Sequence, residues 1–99
     1  MIDTPEIDQL VWDDWNSKHI AKHRVTRDEI AEVIAGETVT QETYKQRFLV
    51  LGETLSGRLL AVVIGPDPIR AGAYYTFSAR PASRQERRLY QQLRGGEEL

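Results

Sequence analysis

The chain has 99 residues, 28% of them charged, and a formal net charge of −2 with a pI near 5.7. Its length is that of one domain, expected over residues 1–99 with loose ends at 1–8 and 95–99, and its acidic balance argues against a general nucleic-acid binder. The absence of cysteine excludes disulfides and thiolate metal sites. The acidic N-terminus lacks the apolar run of a signal peptide, and the longest apolar run, residues 59–64, is too short to span a bilayer.

The N-terminal residues predict a short strand followed by a helix. Residues 9–12 have the pattern of a short strand. Asp13 or Asp14 can then cap a helix that runs to about His23, because a carboxylate accepts hydrogen bonds from the free N–H groups of the first turn.

A second helix is predicted directly afterwards. Thr26 and Glu29 have the spacing of a capping box, in which each side chain satisfies the other residue's backbone N–H. Gly36 suits the C-terminal end. One apolar stripe along this helix is expected to pack on the core, and it consists of Ile30, Val33 and Ile34.

The pattern then changes to strands, predicted at 38–44, 47–51, 58–64 and 73–79. The first is polar and β-branched, as in an edge strand, whereas the third is apolar on both faces, as in a central strand. Ser83 and Glu86 repeat the capping-box spacing and begin a last helix that Gly95-Gly96 would end. The sequence therefore predicts an α+β domain with N-terminal helices, a mostly antiparallel four-stranded sheet and a C-terminal helix.

Positive charge collects in the C-terminal part of the chain. Residues 58–94 hold seven arginines against two acidic side chains. Four of these arginines lie where the last strand is expected to meet the last helix: Arg80, Arg84, Arg87 and Arg88. Arginine holds phosphate with a planar fork of donors, so this junction is a candidate site for an anion, RNA included. The alternative is that these arginines only keep an exposed helix soluble.

The end of the first helix leaves several interpretations open. His19 and His23 are four residues apart, so two imidazoles could share a metal, but the further ligands would have to come from Asp13 or a distant glutamate. Lys22 and His23 also suit a helix C-terminus, where the dipole favours positive charge. In the functional interpretation they lie beside the arginines, and the histidine moves a proton.

Other catalytic patterns are missing from the sequence, which contains no serine triad, paired carboxylates or glycine-rich phosphate loop. Basic residues would therefore carry any catalysis. Tyr74 and Tyr75 are neighbours in a predicted strand, so one faces inward and the other outward, where it could stack on a base. Arg58 opens the central strand, but whether it meets Arg80 depends on a register that the sequence does not give.

Two separated blocks carry a family pattern: WDDWNSKHIAKHRVT at 12–26, and GRLLAVV at 57–63 with SARPASRQERRLY at 78–90. The matching positions are Trp12, Asp13, Asn16, Lys22, His23, Val25, Gly57, Arg58, Leu59, Leu60, Ser78, Ala79, Arg80, Glu86, Arg87 and Tyr90. Together they resemble the BrnT toxins of bacterial type II toxin–antitoxin modules. The resemblance covers most of residues 12–90 and is weakest at 37–46.

The resemblance implies a RelE-like fold and a ribonuclease that arrests translation. It also implies a BrnA-like antitoxin, which neutralises the toxin in a heterotetramer and is the partner that binds operator DNA. A cytoplasmic protein with no membrane contact, no cofactor and no metal is expected. Carried over position by position, the candidate catalytic residues are Lys22, Arg58 and Arg80, and the candidate RNA contacts are His23, Arg84 and Arg87.

Three features depart from the family pattern. Arg24 replaces the glycine after the histidine, and it must adopt a left-handed backbone at a steric cost if the turn is kept. Pro81 restricts the backbone of Arg80 to extended conformations. The pI is acidic. These departures would fit a weakened toxin or a domesticated homologue.

The leading hypothesis is a metal-independent endoribonuclease, in which the RNA 2′-hydroxyl attacks the adjacent phosphate and leaves a 2′,3′-cyclic phosphate. Arg58 and Arg80 would hold that phosphate and stabilise its developing charge. Lys22 would assist the phosphate or the leaving oxygen, and His23 would handle the proton. The alternative is a non-catalytic interaction module whose basic face binds an acidic partner segment, and a third is a protein that binds metal through the two histidines.

Overall fold

The computed structural model describes residues 3–94. Within them, five strands and three α-helices follow one another in the order β1-α1-α2-β2-β3-β4-β5-α3. The strands are Gln9–Val11 (β1), Thr38–Glu42 (β2), Phe48–Glu53 (β3), Leu59–Pro66 (β4) and Ala73–Pro81 (β5), and the helices are Asp14–Ala21 (α1), Arg27–Ala35 (α2) and Arg84–Arg94 (α3). The expected helix end at Gly95-Gly96 and the expected loose tail at 95–99 lie outside the described residues.

All five strands belong to one sheet, in the order β1-β5-β4-β3-β2. The strands β2 to β5 pair antiparallel, whereas β1 pairs parallel with β5, with Leu10 opposite Tyr74. The α+β class and the mostly antiparallel sheet are confirmed, with β2 at an edge and β4 in the centre. The expected count of four strands is wrong by one, because the short strand at the N-terminus joins the edge of β5.

Helices α1 and α2 cover one face of the sheet, called here the helix face. Their inward residues pack with alternate residues of β3, β4 and β5 in a core that consists of Ile20, Val25, Ile30, Val33, Val50, Leu60, Val62, Ile64 and Ala79. The expected apolar stripe of α2 is confirmed, with Ile30 and Val33 fully buried and Ile34 packed beside them. Both expected capping boxes form, Thr26 with Glu29 at the start of α2 and Ser83 with Glu86 at the start of α3. Asp13 caps α1.

The opposite face of the sheet is only partly covered, by α3. The half-buried side chains Leu89, Tyr90 and Leu93 of this helix pack over Val39, Leu51 and Ala61, as the spacing of the helix predicted. The remainder of this face, beside β1, β4 and β5, forms an open groove.

A β-bulge in β5 decides which side chains reach the groove. Val63 of β4 is opposite Ser78 and Ile64 is opposite Thr76, so Phe77 is an extra residue in the pairing. Strict alternation would place residue 80 on the opposite face from residues 75 and 77. Because of the bulge, Phe77 and Ser78 both line the groove, and Arg80 lies on the same face as Tyr75.

Residues 3–8 have no regular secondary structure, but they contact the sheet at several points. The Thr4 hydroxyl is hydrogen-bonded to the hydroxyls of Thr38 and Thr40, at 2.5 and 2.6 Å. The backbone N–H of Asp8 donates to the carbonyl of Gly72 at 2.9 Å. Within residues 3–94, none of the helices has the length and apolar character to cross a membrane.

Candidate functional site

Arg58 joins the start of β4 to the two helices on the helix face. Its guanidinium donates to the backbone carbonyls of His23 and Arg24, at 3.1 and 2.7 Å, and to both carboxylate oxygens of Glu29, at 3.1 and 3.2 Å. Its side chain is 31% exposed. A guanidinium has five N–H donors, so these bonds occupy most of its capacity and leave little for a phosphate.

Arg24 adopts the left-handed conformation that the family's glycine would adopt without strain, with φ 58°. The N–H of Arg24 donates to the carbonyl of Ala21, and that of Val25 donates to Ile20, the pair of bonds that defines a Schellman motif. The buried side chains of Ile20 and Val25 belong to the same core cluster. The turn is therefore kept, and the arginine carries the steric cost.

Lys22 and His23 lie at the exposed C-terminal end of α1, beside Arg58, and neither lines the groove. His23 is the last member of a row of rings on one side of α1. The ring of His19 stacks on Trp15 at 4.7 Å and meets the ring of His23 edge-on at 6.4 Å. Across residues 3–94, no group of three or more potential metal ligands comes together, and the two histidines have no additional ligand nearby.

The predicted site residues fall into two groups on opposite faces of the sheet. Arg58 extends to the helix face, like Leu60 two residues later, whereas Arg80 lies opposite Ala61 and extends to the face of α3 and the groove. The structure thus places the backbone of His23, next to Lys22 in the chain, against Arg58, but it does not bring Arg58 together with Arg80. One phosphate cannot contact both arginines.

Arg80 forms a two-point ion pair with Glu86 in the first turn of α3. Its Nη1 and Nη2 lie 2.6 and 2.9 Å from the two carboxylate oxygens. The N–H of Ser83 donates to the same carboxylate at 2.8 Å, and Glu86 N–H donates back to the Ser83 hydroxyl. Arg80 lowers the pKa of Glu86 to about 2 through these hydrogen bonds, so the pair is fully ionised at neutral pH. The arginine side chain remains 42% exposed and lines the end of the groove.

The groove has a volume of about 960 Å³ and combines an apolar, aromatic floor with two arginines. Its lining comes from β1, β3, β4, β5, the first turn of α1 and the loops at 43–47 and 66–68, and includes Val11, Trp15, Tyr44, Arg47, Leu49, Val63, Tyr75, Phe77, Ser78 and Arg80. Trp15 and Tyr44 are 57% and 72% exposed, which is unusual for such large rings. Aromatic rings between cationic side chains are the arrangement that binds single-stranded nucleic acid.

Tyr75 faces the groove and Tyr74 packs against the core, as the alternation of the strand predicted. The Tyr75 hydroxyl donates to both carboxylate oxygens of Asp13, at 3.0 and 2.9 Å, and so ties β5 to the start of α1. Burial, and then the Asp13 carboxylate, raise the pKa of Tyr75. The hydrogen bond from the Asn16 N–H is the main cause that lowers the pKa of Asp13. A phenol that holds its proton and a weakly basic carboxylate are suited to fixing the groove wall rather than to moving protons.

Arg47 and Phe77 are groove residues that the sequence patterns did not single out. The guanidinium of Arg47 lies over the Phe77 ring at 3.8 Å from its centre. The position of Arg47 at the start of the predicted strand 47–51 was the only available signal. Phe77 shares the groove face with Tyr75 by alternation. The bulge beside it brings Ser78 and Arg80 to that face as well; it depends on pairing with β4 and is not visible in the pattern of β5.

Arg84 and Arg87 are exposed on α3, on the same face of the sheet as Arg80. Arg87 lines a second, smaller hollow together with Glu37, Glu53 and Arg94. Two carboxylates balance the two arginines of this hollow, whereas the groove lining holds two arginines and one carboxylate, Asp67, so the hollow is the poorer anion site.

Comparison with known proteins supports the resemblance at the level of the fold. A matching solved structure is the crystal structure of the ribonuclease toxin BrnT of Brucella abortus, with a TM-score of 0.61 and 24% sequence identity over 77% of this chain and 97% of that chain. This chain has the BrnT fold. No family model matches the sequence, and neither does any curated protein. The fold expected from the motifs is thereby confirmed. The groove is observed in the structure of this chain itself.

Proposed function

We propose that this chain is the ribonuclease toxin of a type II toxin–antitoxin module, and that it binds and cleaves RNA in the groove. The observation that carries the proposal is the groove itself, in which Arg47 and Arg80 flank exposed aromatic rings on the fold of a ribonuclease toxin. Arginines can hold successive phosphates while unpaired bases stack on the rings.

Cleavage proceeds in this proposal by attack of the RNA 2′-hydroxyl on the adjacent phosphorus. The bond from phosphorus to the 5′-oxygen breaks, so the products carry a 2′,3′-cyclic phosphate and a 5′-hydroxyl. The proton leaves the 2′-hydroxyl and one is delivered to the 5′-oxygen. Arg80 stabilises the charge that develops on the phosphate oxygens. Arg84 and Arg87 extend the basic surface for the RNA along α3.

The residues on the helix face take a supporting role in the proposal. Arg58 holds the turn after α1 through the carbonyls of His23 and Arg24, and so fixes where Lys22 and His23 lie. Lys22 and His23 then contact RNA beyond the groove. The protein acts in the cytoplasm, arrests translation by cutting RNA, and is neutralised by a BrnA-like antitoxin that also binds the operator.

The decisive experiment measures RNA cleavage by purified protein in EDTA, and growth arrest after induction in a bacterium with and without the adjacent antitoxin gene. Cleavage in EDTA with a 2′,3′-cyclic phosphate end, and arrest only without the antitoxin gene, are the expected results. Arg80→Ala should lower cleavage by about 10²–10³-fold, because one stabilising donor at the developing charge is lost. Its melting temperature should fall only slightly, because the ion pair with Glu86 that the substitution removes is partly exposed. Arg80→Lys should recover part of the rate, and Arg88→Ala, an exposed arginine of α3 outside the groove lining, is the matched control.

A second candidate function is a non-catalytic interaction module. The observation that favours it is the ion pair between Arg80 and Glu86, which occupies the guanidinium that a phosphate would need. Wild-type cleavage rates in Arg80→Ala protein, or no cleavage by the wild type while it still binds the antitoxin, would decide for the interaction module.

A further inference from the structure

One wall of the groove is a stack of three side chains. The Arg47 guanidinium lies over the Phe77 ring at 3.8 Å, and the Phe77 ring meets Tyr75 edge-on at a centroid distance of 5.0 Å. Asp13 in turn holds the Tyr75 hydroxyl. Each member thus contacts the next, from the turn before β3 across β5 to the start of α1.

The backbone beneath this stack is adapted to it. Phe77 shares the groove face with Tyr75 by the alternation of β5, and the bulge beside it brings Ser78 and Arg80 to the same face. Gly65 of β4 lies under the ring, and a Cβ there would be only 2.9 Å from Phe77 Cε2 and 3.5 Å from Arg47 Cγ. A glycine at this point of a central strand weakens the strand, and here it provides the space in which the ring and the arginine stem lie.

The turn before β3 fixes the arginine. Lys45 and Gln46 both have positive φ, 60° and 61°, as a tight hairpin turn requires at both central positions. The N–H of Arg47 donates to the carbonyl of Tyr44 at 3.3 Å and closes the turn, and the N–H of Thr43 donates to the carbonyl of Arg47 at 2.7 Å. A left-handed backbone is energetically costly for a residue other than glycine, and here two such residues adopt it. The surrounding structure therefore maintains this turn despite the strain, and the turn sets the direction in which the Arg47 side chain extends.

We propose that Arg47, Phe77 and Tyr75 form a nucleobase platform, on which one unpaired base of the RNA stacks against the guanidinium. The inference rests on the proposed function for the identity of the ligand and goes beyond it in assigning this end of the groove to a base rather than to a phosphate. Guanidinium planes and aromatic rings are the groups on which proteins stack splayed bases. The groove therefore selects RNA with an unpaired nucleotide at this point, because a base inside a duplex has no free face.

Binding of uncleavable RNA tests the platform separately from the chemistry. The probe is a short single-stranded oligoribonucleotide with 2′-O-methyl groups, compared with an abasic counterpart of the same length and with a hairpin duplex. Phe77→Leu keeps an apolar side chain but removes the ring, and Arg47→Lys keeps the charge but removes the planar fork. Arg27→Lys is the matched control, because Arg27 lies over the Trp12 ring at 5.2 Å outside the groove lining.

Wild-type protein should bind the base-bearing strand more tightly than the abasic strand or the duplex. Phe77→Leu and Arg47→Lys should each weaken binding of the base-bearing strand by about 5- to 150-fold, the range expected for one stacked base, and should leave abasic binding nearly unchanged. The Arg27→Lys protein should bind all three probes like the wild type.

Three results would overturn the platform. The first is equal affinity of the wild type for base-bearing and abasic strands, and the second is wild-type binding by Arg47→Lys protein, which shows that only charge matters. The third is loss of antitoxin binding in both variants with unchanged RNA binding, which assigns the stack to a protein partner. Cleavage of natural RNA separates the two proposals. If the variants bind uncleavable RNA like the wild type while the wild type cuts RNA, only the platform fails; if the wild type stacks a base but does not cut, only the ribonuclease fails.

Discussion

Arg80 and Glu86 face each other fork to fork across the junction of β5 and α3, with both N–O distances below 3 Å. The same carboxylate caps α3 through the N–H of Ser83. One acidic side chain therefore fixes the start of the helix and the direction of the arginine at the end of the groove. RNA bound at Arg80 has to share the guanidinium with this carboxylate or displace it.

The stability that this pair contributes should depend on pH. The pKa of Glu86 is lowered from 4.5 to about 2 in the folded protein, so its contribution is fully present above pH 4.5 and is lost as the pH falls towards 2. We expect wild-type protein to be more stable than Glu86→Gln above pH 4.5, and the difference to vanish near pH 2. Thermal melts of both proteins across this pH range measure the difference in stability. The contributions of the other acidic groups cancel in that difference, because both proteins contain them. A difference that persists unchanged at pH 2 would show that the ionised pair is not its source.

Arg58→Ala should destabilise the fold more than Arg80→Ala, which removes only the partly exposed ion pair with Glu86. The substitution leaves the carbonyls of His23 and Arg24 and the Glu29 carboxylate without their donor, and hydrogen bonds to charged groups contribute about 1.5–3 kcal/mol each before solvent replaces them. We expect a net loss of about 1–3 kcal/mol in the free energy of unfolding by urea, since the site is partly exposed. Arg84→Ala, on the exposed side of α3, should change stability by less than about 0.5 kcal/mol. Equal stability of the wild type and Arg58→Ala would instead leave this arginine free for a direct role with RNA.

Arg24→Gly should stabilise the protein, because glycine adopts the left-handed conformation without the steric cost that Arg24 carries at φ 58°. The expected gain is about 0.5–1 kcal/mol, reduced by the greater freedom of glycine in the unfolded chain. Lys22→Gly is the matched control, two residues earlier at φ −59°, and should destabilise by up to about 1 kcal/mol. Urea unfolding of the wild type and the two variants measures whether the free energy of unfolding rises in Arg24→Gly and falls in Lys22→Gly. A loss of stability in both variants would show that the backbone of Arg24 is not strained.

Val33→Asp should disrupt the packing of α2 on the sheet. Val33 is fully buried in the core of the helix face, where an unpaired carboxylate costs about 3 kcal/mol or more. Ala31→Asp in the same helix is exposed and should be nearly neutral. Melting temperatures decide the matter: a wild-type value for Val33→Asp would refute the arrangement of helix on sheet.

The two histidines should bind no structural metal. Their rings lie 6.4 Å apart, one of them is stacked on Trp15, and residues 3–94 supply no third ligand beside them. Metal analysis of protein purified without a histidine tag should find far less than one equivalent of zinc, with a melting temperature that EDTA does not change. Stoichiometric zinc that His19→Ala removes, together with lost stability, would reverse this expectation.

Features that depend on neighbouring residues could be predicted from the sequence. The caps at Thr26 and Ser83 involve hydrogen bonds over three residues, and both form where the spacing indicated. Of the two aspartates that the sequence left open for α1, Asp13 is the cap. The stripe of α2 likewise follows from helical geometry alone.

Features that depend on strand pairing could not be predicted. The register places Arg58 and Arg80 on opposite faces, and the bulge at Phe77 moves Arg80 to the face of Tyr75. Neither the register nor the bulge can be predicted from the local sequence of β5, because alternation assigns side chains to the two faces of the sheet only within a regular strand. The importance of Arg47 was missed for the same reason, since its partner ring lies thirty residues away.

The short strand β1 has a consequence for the behaviour of the protein in solution. It occupies the hydrogen-bonding edge of β5 at Ala73, Tyr74 and Tyr75, in a strand rich in aromatic residues. An unpaired edge of this composition is a template for the addition of strands from other copies. Truncation before Trp12 would therefore turn a covered sheet edge into a site of aggregation, and it would also remove Val11 from the groove lining, even though the three helices would keep their residues.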